Sequence, residues 1–380
     1  MRTGTPHGSF LPRLGWRAWT LACLAACLGA VGSVSAQSPL ALDDMRRQVA
    51  AASTPRPPWD GPRAGPAGLR GKTIAILAED LRNGGILGVA QGVREAAKVL
   101  DWQVKVFDAA GTPAGRAKAA ADSLAARPDG IVLVGADARA MQPHLAPVAA
   151  RGIPVVGWHV GPVAGPVADS AVAFNVSTDP LLVARITAMA AVVGANGRAG
   201  VVIFTDSNFG IAMAKAEAMA EVIRACKECS LLEIRDVAIS GSAQAMPAVT
   251  RDLLARHGKR WTHALAINDI YFDYAVPELI RAGVSGEALQ LLSAGDGSAA
   301  AFLRIQARAF QTGTVAEPLN LHGWQLADEL NRLMARQAPS NYVVPVHLVT
   351  ADNIAHDGGP RLLYDPDNGY REIYRSIWKR

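Results

Sequence analysis

Aromatic residues are scarce in this sequence, at 6% of 380 residues, while half the chain is hydrophobic. Apolar mass carried mostly by Ala, Val, Leu and Gly argues against an aromatic-rich β-sandwich and for helices packed closely on strands. Basic runs are also missing. The formal charge of +5 overstates the basic character, because Arg2, Arg13 and Arg17 lie in the first 36 residues without a single acid among them. The other Lys and Arg residues are scattered with no aromatic-interleaved stripe, so the electrostatic footprint of a nucleic-acid binder is absent. There is no His-Glu-x-x-His, no Gly-x-Ser-x-Gly and no Walker loop. The glycines of 194–200 precede an expected strand instead of following one, which rules out a dinucleotide fingerprint. Neither a cofactor nor a metal is expected.

What is present begins with an export signal. Arg13 and Arg17 precede an apolar stretch over 18–31, and Val34-Ser35-Ala36 offers the small residues that a signal peptidase reads, so the mature chain is expected to start at Gln37 and reside in the periplasm. The stretch is too short to span a membrane, which takes roughly 20 residues. Leu24-Ala25-Ala26-Cys27 also fits a lipobox, making a lipid anchor through Cys27 the less favoured alternative. Of four cysteines, only Cys226 and Cys229 remain after cleavage. They follow a helical pattern and precede a strand, the wrong end of a helix for a reactive thiolate. An oxidising compartment would pair them as a structural disulfide closing a tight turn.

Residues 37–71 carry Pro55, Pro57, Pro58, Pro62 and Pro66 with several glycines. This composition predicts a leader laid over the surface without helix or strand, and a fold beginning near Thr73. From there short β-rich apolar runs alternate with amphipathic helical stretches, the pattern of βαβ units around a buried parallel sheet. Strands are expected over 73–77, 103–107, 130–134 and 153–157, and again over 200–204, 231–237, 263–267 and 289–293. So many strands would strain a single sheet. The fold class is therefore α/β, with two similar doubly wound parallel-sheet lobes and a cleft between them. Ligands of such sheets bind outside the carboxyl ends of the strands. That rule selects Asp80 and Asn83 after the first strand, Trp158 and His159 after the fourth, Lys215 on a following helix, and Asn268, Asp269 and Asp296 after later strands.

With Thr73-Ile74-Ala75-Ile76, Asn83, Gly92, Asp129-Gly130-Ile131-Val132-Leu133, Ile153-Pro154-Val155-Val156, Asn268-Asp269 and Gly295-Asp296-Gly297 in this order and spacing, the chain resembles the type I periplasmic binding proteins from about Lys72 to Ile354. The resemblance is to the ribose- and galactose-binding branch that serves ABC importers. It implies a hinge of three crossings, a first lobe of 72–176 plus 318–341 and a second of 177–317 plus 342–354, leaving 355–380 as an extension. It also implies that Asn83, His159, Lys215, Asn268, Asp296 and Glu317 contact a carbohydrate-like ligand, with an ABC permease as partner of a monomeric receptor. Where ribose-type members carry two aromatic rings after the first-loop asparagine, this chain has Gly84-Gly85-Ile86, and where they carry Asp-Arg it has His159-Val160. A stacking face would then come from Trp158, Phe209 or Tyr271, and the ligand is expected to be a small sugar or polyol other than ribose.

Each of these residues also has a purely structural role open to it: Asn268, Asp269 and Asp296 as caps or turns, Asn83 as a turn residue, His159 in a cleft wall, Lys215 and Glu317 as surface charges. An enzyme using Asp296 and Glu317 as a hydrolytic pair is a remote rival. A ligand-sensing partner of a chemoreceptor or sensor kinase is the nearer one. A repressor is disfavoured, since the proline-rich leader has no room for a DNA-binding helix pair. The extension is expected to form a short helix that packs Ile373, Tyr374, Ile377 and Trp378 on a lobe.

Overall fold

The computed structural model describes residues 41–55 and 58–380. The expected signal segment, its cleavage site, Cys23 and Cys27 lie outside the described residues. Two six-stranded sheets organise the remainder. The first joins β1 (Thr73–Ala78), β2 (Gln103–Asp108), β3 (Gly130–Val134), β4 (Val155–Trp158), β5 (Gly165–Pro166) and β6 (Val172–Val176) in the order β2-β1-β3-β4-β6-β5. The second joins β7 (Gly200–Thr205), β8 (Ser230–Asp236), β9 (His263–Ala266), β10 (Gln290–Ser293), β11 (Gln311–Val315) and β12 (Leu348–Thr350) in the order β12-β11-β10-β9-β7-β8. All pairings are parallel except those of the short strands β5 and β12. Central β3 and β7 are buried at every residue because helices cover both faces of each sheet.

The helices start where polar residues stop the strands. Asn83 caps α2 (Gly84–Leu100), Thr112 caps α3 (Pro113–Ala125), Asp137 caps α4 (Ala138–Ala150) and Asp179 caps α5 (Pro180–Gly194), each accepting hydrogen bonds from backbone N–H groups of the first turn. The second lobe continues with α6 (Gly210–Ala225), α7 (Ser242–His257), α8 (Ile270–Arg281) and α9 (Ala299–Gln306). Cys226 and Cys229 form a disulfide across the turn between α6 and β8, their Cα atoms 5.3 Å apart.

The leader departs from expectation. Residues 42–53 form α1 (Leu42–Ser53), which buries Met45 and Ala52 in the core of the second lobe. Composition averaged over 37–71 hid it: apart from Pro39 the prolines lie at 55 and beyond, whereas the run 42–53 has none and places Asp43 and Asp44 in the first turn, where the helix dipole favours acids. Further on, Trp59 packs into the core of the first lobe. The extension likewise touches both lobes. Tyr364 joins Phe302 and Ile305 beside α9, whereas α11 (Tyr370–Trp378) packs Tyr370, Tyr374, Ile377 and Trp378 on the first lobe. Leader and extension thus each pack against both lobes.

Both segments clad α10 (Leu319–Met334), the helix that enters the first lobe from β11. One side of α10 lies against α2 so closely that a Cβ at Gly323 would fall 2.4 Å from the Gly92 carbonyl carbon, and only glycine fits there. Its polar side is buried too. Arg332 pairs with Asp328 (2.7 Å) and donates to the Ala64 carbonyl, Asn331 accepts from Leu69 N–H, and Trp378 Nε1 donates to Asp328 Oδ1 at 2.7 Å. Trp378→Ala empties its site and strips Asp328 of a donor. It is expected to lower stability by about 3–5 kcal/mol, read as an earlier urea midpoint; an unchanged midpoint would mean the extension merely decorates the lobe.

Candidate ligand-binding site

The carboxyl ends of the two sheets face each other across a cavity of about 250 Å³, near the small end of the ~300–1,000 Å³ of typical small-molecule sites. Its walls meet: Asp137 of the first lobe accepts from Gly210 N–H of the second (3.3 Å), and a Cβ at Gly85 would collide with the Asp296 carboxylate. Seven of the nine residues selected from the sequence line this space, namely Asp80, Asn83, Trp158, His159, Lys215, Asn268 and Asp296. Asp269 and Glu317 do not.

Asp269 sits one residue past the cavity wall and is fully buried. Its Oδ1 accepts from Ser293 Oγ and from Gln311 Nε2 (2.9 Å), and its Oδ2 from the backbone N–H groups of Gly297 (2.8 Å) and Ser298 (3.1 Å). The expectation of a ligand contact is corrected here, since every lone-pair direction is spent on bracing the loop that carries Asp296. Tyr271 is corrected as well: it lies in the core, donating to the Val237 carbonyl and stacking on Phe204. Trp158 and Phe209 do face the cavity.

Several residues serve the frame and the wall at once. Asn83 spends Oδ1 on capping α2, which leaves its Nδ2 without a partner among the described residues. Asn268 is engaged at both ends, Oδ1 accepting from Ile270 N–H and Nδ2 donating to Asp296 Oδ2 at 2.7 Å. Lys215, buried on α6, donates to the Ala294 carbonyl at 2.8 Å and has two further protons to offer. Asp80 accepts three hydrogen bonds from Arg82, one from its backbone N–H and two from its guanidinium.

Sequence reasoning missed Arg116, Asp206 and Asn208, which also line the cavity. Arg116 on α3 forms a bidentate pair with Glu79 (Nε–Oε2 2.8 Å) and lies over the Phe209 ring. Asp206 directly follows β7 and accepts from the N–H groups of Asn208 and Ile239. The Glu79 position was legible from the strand end; the arginine was not, because it reaches in from α3 of the same lobe, 37 positions further along the chain.

Charge is concentrated at the back of the cleft. His159 has φ +53°, a left-handed conformation uncommon for a residue with a side chain. The turn lays its ring on Trp158, with centroids 3.7 Å apart and planes within 12°. Its Nε2 lies 3.3 Å from Glu317 Oε1 and its Nδ1 3.8 Å from Asp296 Oδ1. Burial pushes the Asp296 carboxyl up to about 6 against the attraction of His159 and Lys215. Burial acts the same way on Glu317, but there His159 and Lys215 prevail and hold it below the usual carboxylate range. His322, fully buried, is driven down to about 4 by burial.

The Asp296 shift sets a pH dependence. Its folded pKa exceeds the ordinary 3.8, so the folded state holds this proton more tightly, and the cost of the buried charge is complete above pH 6 and relieved as pH falls toward 4. Asp296→Asn, which keeps an acceptor for Asn268, is therefore expected to melt above wild type at pH 7, with the gap closing between about pH 6 and 4. A pH-independent difference would contradict the assignment.

No curated protein matches the chain. Solved structures match it across both lobes. They include an ABC transporter solute-binding protein from Agrobacterium vitis bound to α-D-tagatopyranose (14% identity, TM-score 0.68, 77% of this chain and 99% of that one). Another from Agrobacterium vitis, with allitol, shows 21% identity and TM-score 0.66 over 76% and 98%. A 5-methylthioribose transporter solute-binding protein from Thermotoga lettingae shows 16% identity and TM-score 0.65 over 82% and 93%. At such identities the likeness is one of fold. The sequence itself carries the family, for residues 74–338, most of both lobes, match the model of the periplasmic binding protein domain, and the chain belongs to that family.

Proposed function

We propose that this protein is the periplasmic receptor of an ABC importer and that it closes its lobes on one small sugar or polyol. The observation that carries the reading is the convergence of polar side chains from both lobes on one small cavity between matching sheets. A hydroxyl both donates and accepts, and the walls supply both partners: carboxylate acceptors in Asp80 and Asp296, donors in Lys215, Arg116 and Asn83. Trp158 and Phe209 give apolar faces for the ring or carbon chain. Leaving one of these buried groups unpaired costs roughly 1–3 kcal/mol, which selects among polyols by hydroxyl geometry.

The neighbours bound to allitol and tagatopyranose support a ligand of this class, and the family supports delivery to a membrane importer. In this reading the signal over 1–36 exports a monomer that performs no chemistry, binds no nucleic acid and meets the permease when closed. Closure is a hinge motion about the lobe crossings.

A thermal-shift panel of monosaccharides and polyols tests the proposal. A true ligand at about 100 times its Kd adds roughly 2.7 kcal/mol. Asp296→Ala and Lys215→Ala are each expected to weaken that ligand at least about tenfold, or 1.4 kcal/mol, by calorimetric titration. No stabilisation by any polyol, or full affinity in both variants, would overturn the reading.

A further inference from the structure

We propose that His322, which lies outside the cavity, is a positioning residue for ligand binding: by accepting the Trp158 indole proton it sets the plane of the Trp158–His159 pair and reserves Glu317 for His159. The proposal rests on the cleft being the ligand site, as read above. A buried histidine on an apolar helix face is ordinarily core, and three observations set this one apart.

First, Trp158 Nε1 donates to His322 Nδ1 at 3.0 Å, and both residues are buried. An indole N–H can only donate, so Nδ1 must accept and the ring proton sits on Nε2. That nitrogen has no hydrogen-bond partner among the described residues. Second, the same Nδ1 lies 3.5 Å from Glu317 Oε2. With Nδ1 already an acceptor, the two atoms have no proton to share. Both Glu317 oxygens are buried without an aligned hydrogen bond, and among the described residues the other side-chain nitrogen within 4 Å is His159 Nε2 at 3.3 Å. Third, His159 lies flat on the indole that His322 holds, and its other nitrogen faces Asp296 across the cleft.

The sequence of effects is then physical. His322, in the first turn of α10, holds the indole by its N–H and withholds a proton from Glu317. The carboxylate is left to His159 alone, and His159 is aimed with Nδ1 toward Asp296 and the cavity. Glu317 and His322 both lie where the chain crosses from β11 into the first lobe. The arrangement therefore ties the shape of the ligand wall to a hinge crossing.

The test is a double-mutant cycle in the full-length mature protein, with calorimetric Kd for the best polyol of the panel and near-UV circular dichroism of the unliganded protein as readouts. His322→Leu removes the acceptor and is expected to weaken binding at least about tenfold. His322→Asn places an oxygen near the Nδ1 position and is expected to restore binding to within about threefold. In a Trp158→Phe background, which has no indole proton to lose, His322→Leu is expected to cost less than about twofold and to lose its dichroism difference. Equal costs and equal spectral changes in both backgrounds would overturn the positioning role, as would unchanged affinity of His322→Leu. A wild-type protein that binds no polyol would instead overturn the functional reading on which the role rests.

Discussion

A parallel sheet covered by helices on both faces admits a polar side chain to its interior only where a partner is built in, so each lobe sends most of its polar residues to the strand ends. Here β3 and β7 are buried throughout, and Glu79, Asp80, Trp158-His159, Asp206, Asn268 and Asp296 all come within two or three residues of a strand's carboxyl end. Setting two such sheets end to end makes a chamber lined with hydrogen-bonding groups. The cleft is thus a consequence of how the lobes are cored, and its polar lining needs no motif.

Enclosure then changes what those groups are worth. Away from water, Coulomb attraction and desolvation both grow, and small differences in surroundings split chemically similar residues. Asp296 and Glu317 both face His159 from within 4 Å, yet burial prevails at Asp296 while charge prevails at Glu317. The result is one carboxyl near its titration point at the cavity wall and one firmly ionised behind it. Such a pair can meet a hydroxyl with an acceptor without gathering two uncompensated charges on the ligand side.

The two lobes account for the likeness to solved structures, which spans nearly all of those chains but only about three quarters of this one. The leader and the extension have a defined task. Helix α10 buries the polar residues Asp328, Glu329, Asn331 and Arg332, and each finds a partner: Asp328 in Arg332 and Trp378, Asn331 in Leu69 N–H, and Glu329 in Ser340 just beyond the helix. Burial of Glu329 raises its carboxyl to about 7 despite two hydrogen bonds from Ser340. The cladding also explains the aromatic residues that composition made to seem few: Trp59, Trp324, Tyr370, Tyr374 and Trp378 gather in one cluster over this helix.

The alternation of strands and helices, the strand ends that carry polar groups and the Cys226–Cys229 turn could be read from sequence, because each depends on residues within a few positions of one another. The helix α1 escaped because its neighbours' prolines dominated the local composition. What tertiary structure alone decided is which polar group is free. Asp269 and Asp296 look alike on paper, both following a strand, yet one is consumed by Ser293, Gln311 and two backbone N–H groups while the other faces the cavity. His322 looks like any residue of an amphipathic helix until Trp158, 164 positions away, donates a hydrogen bond to its Nδ1. A side chain's composition is local, but its hydrogen-bond partners and its distance from water are set by whatever the rest of the chain brings beside it.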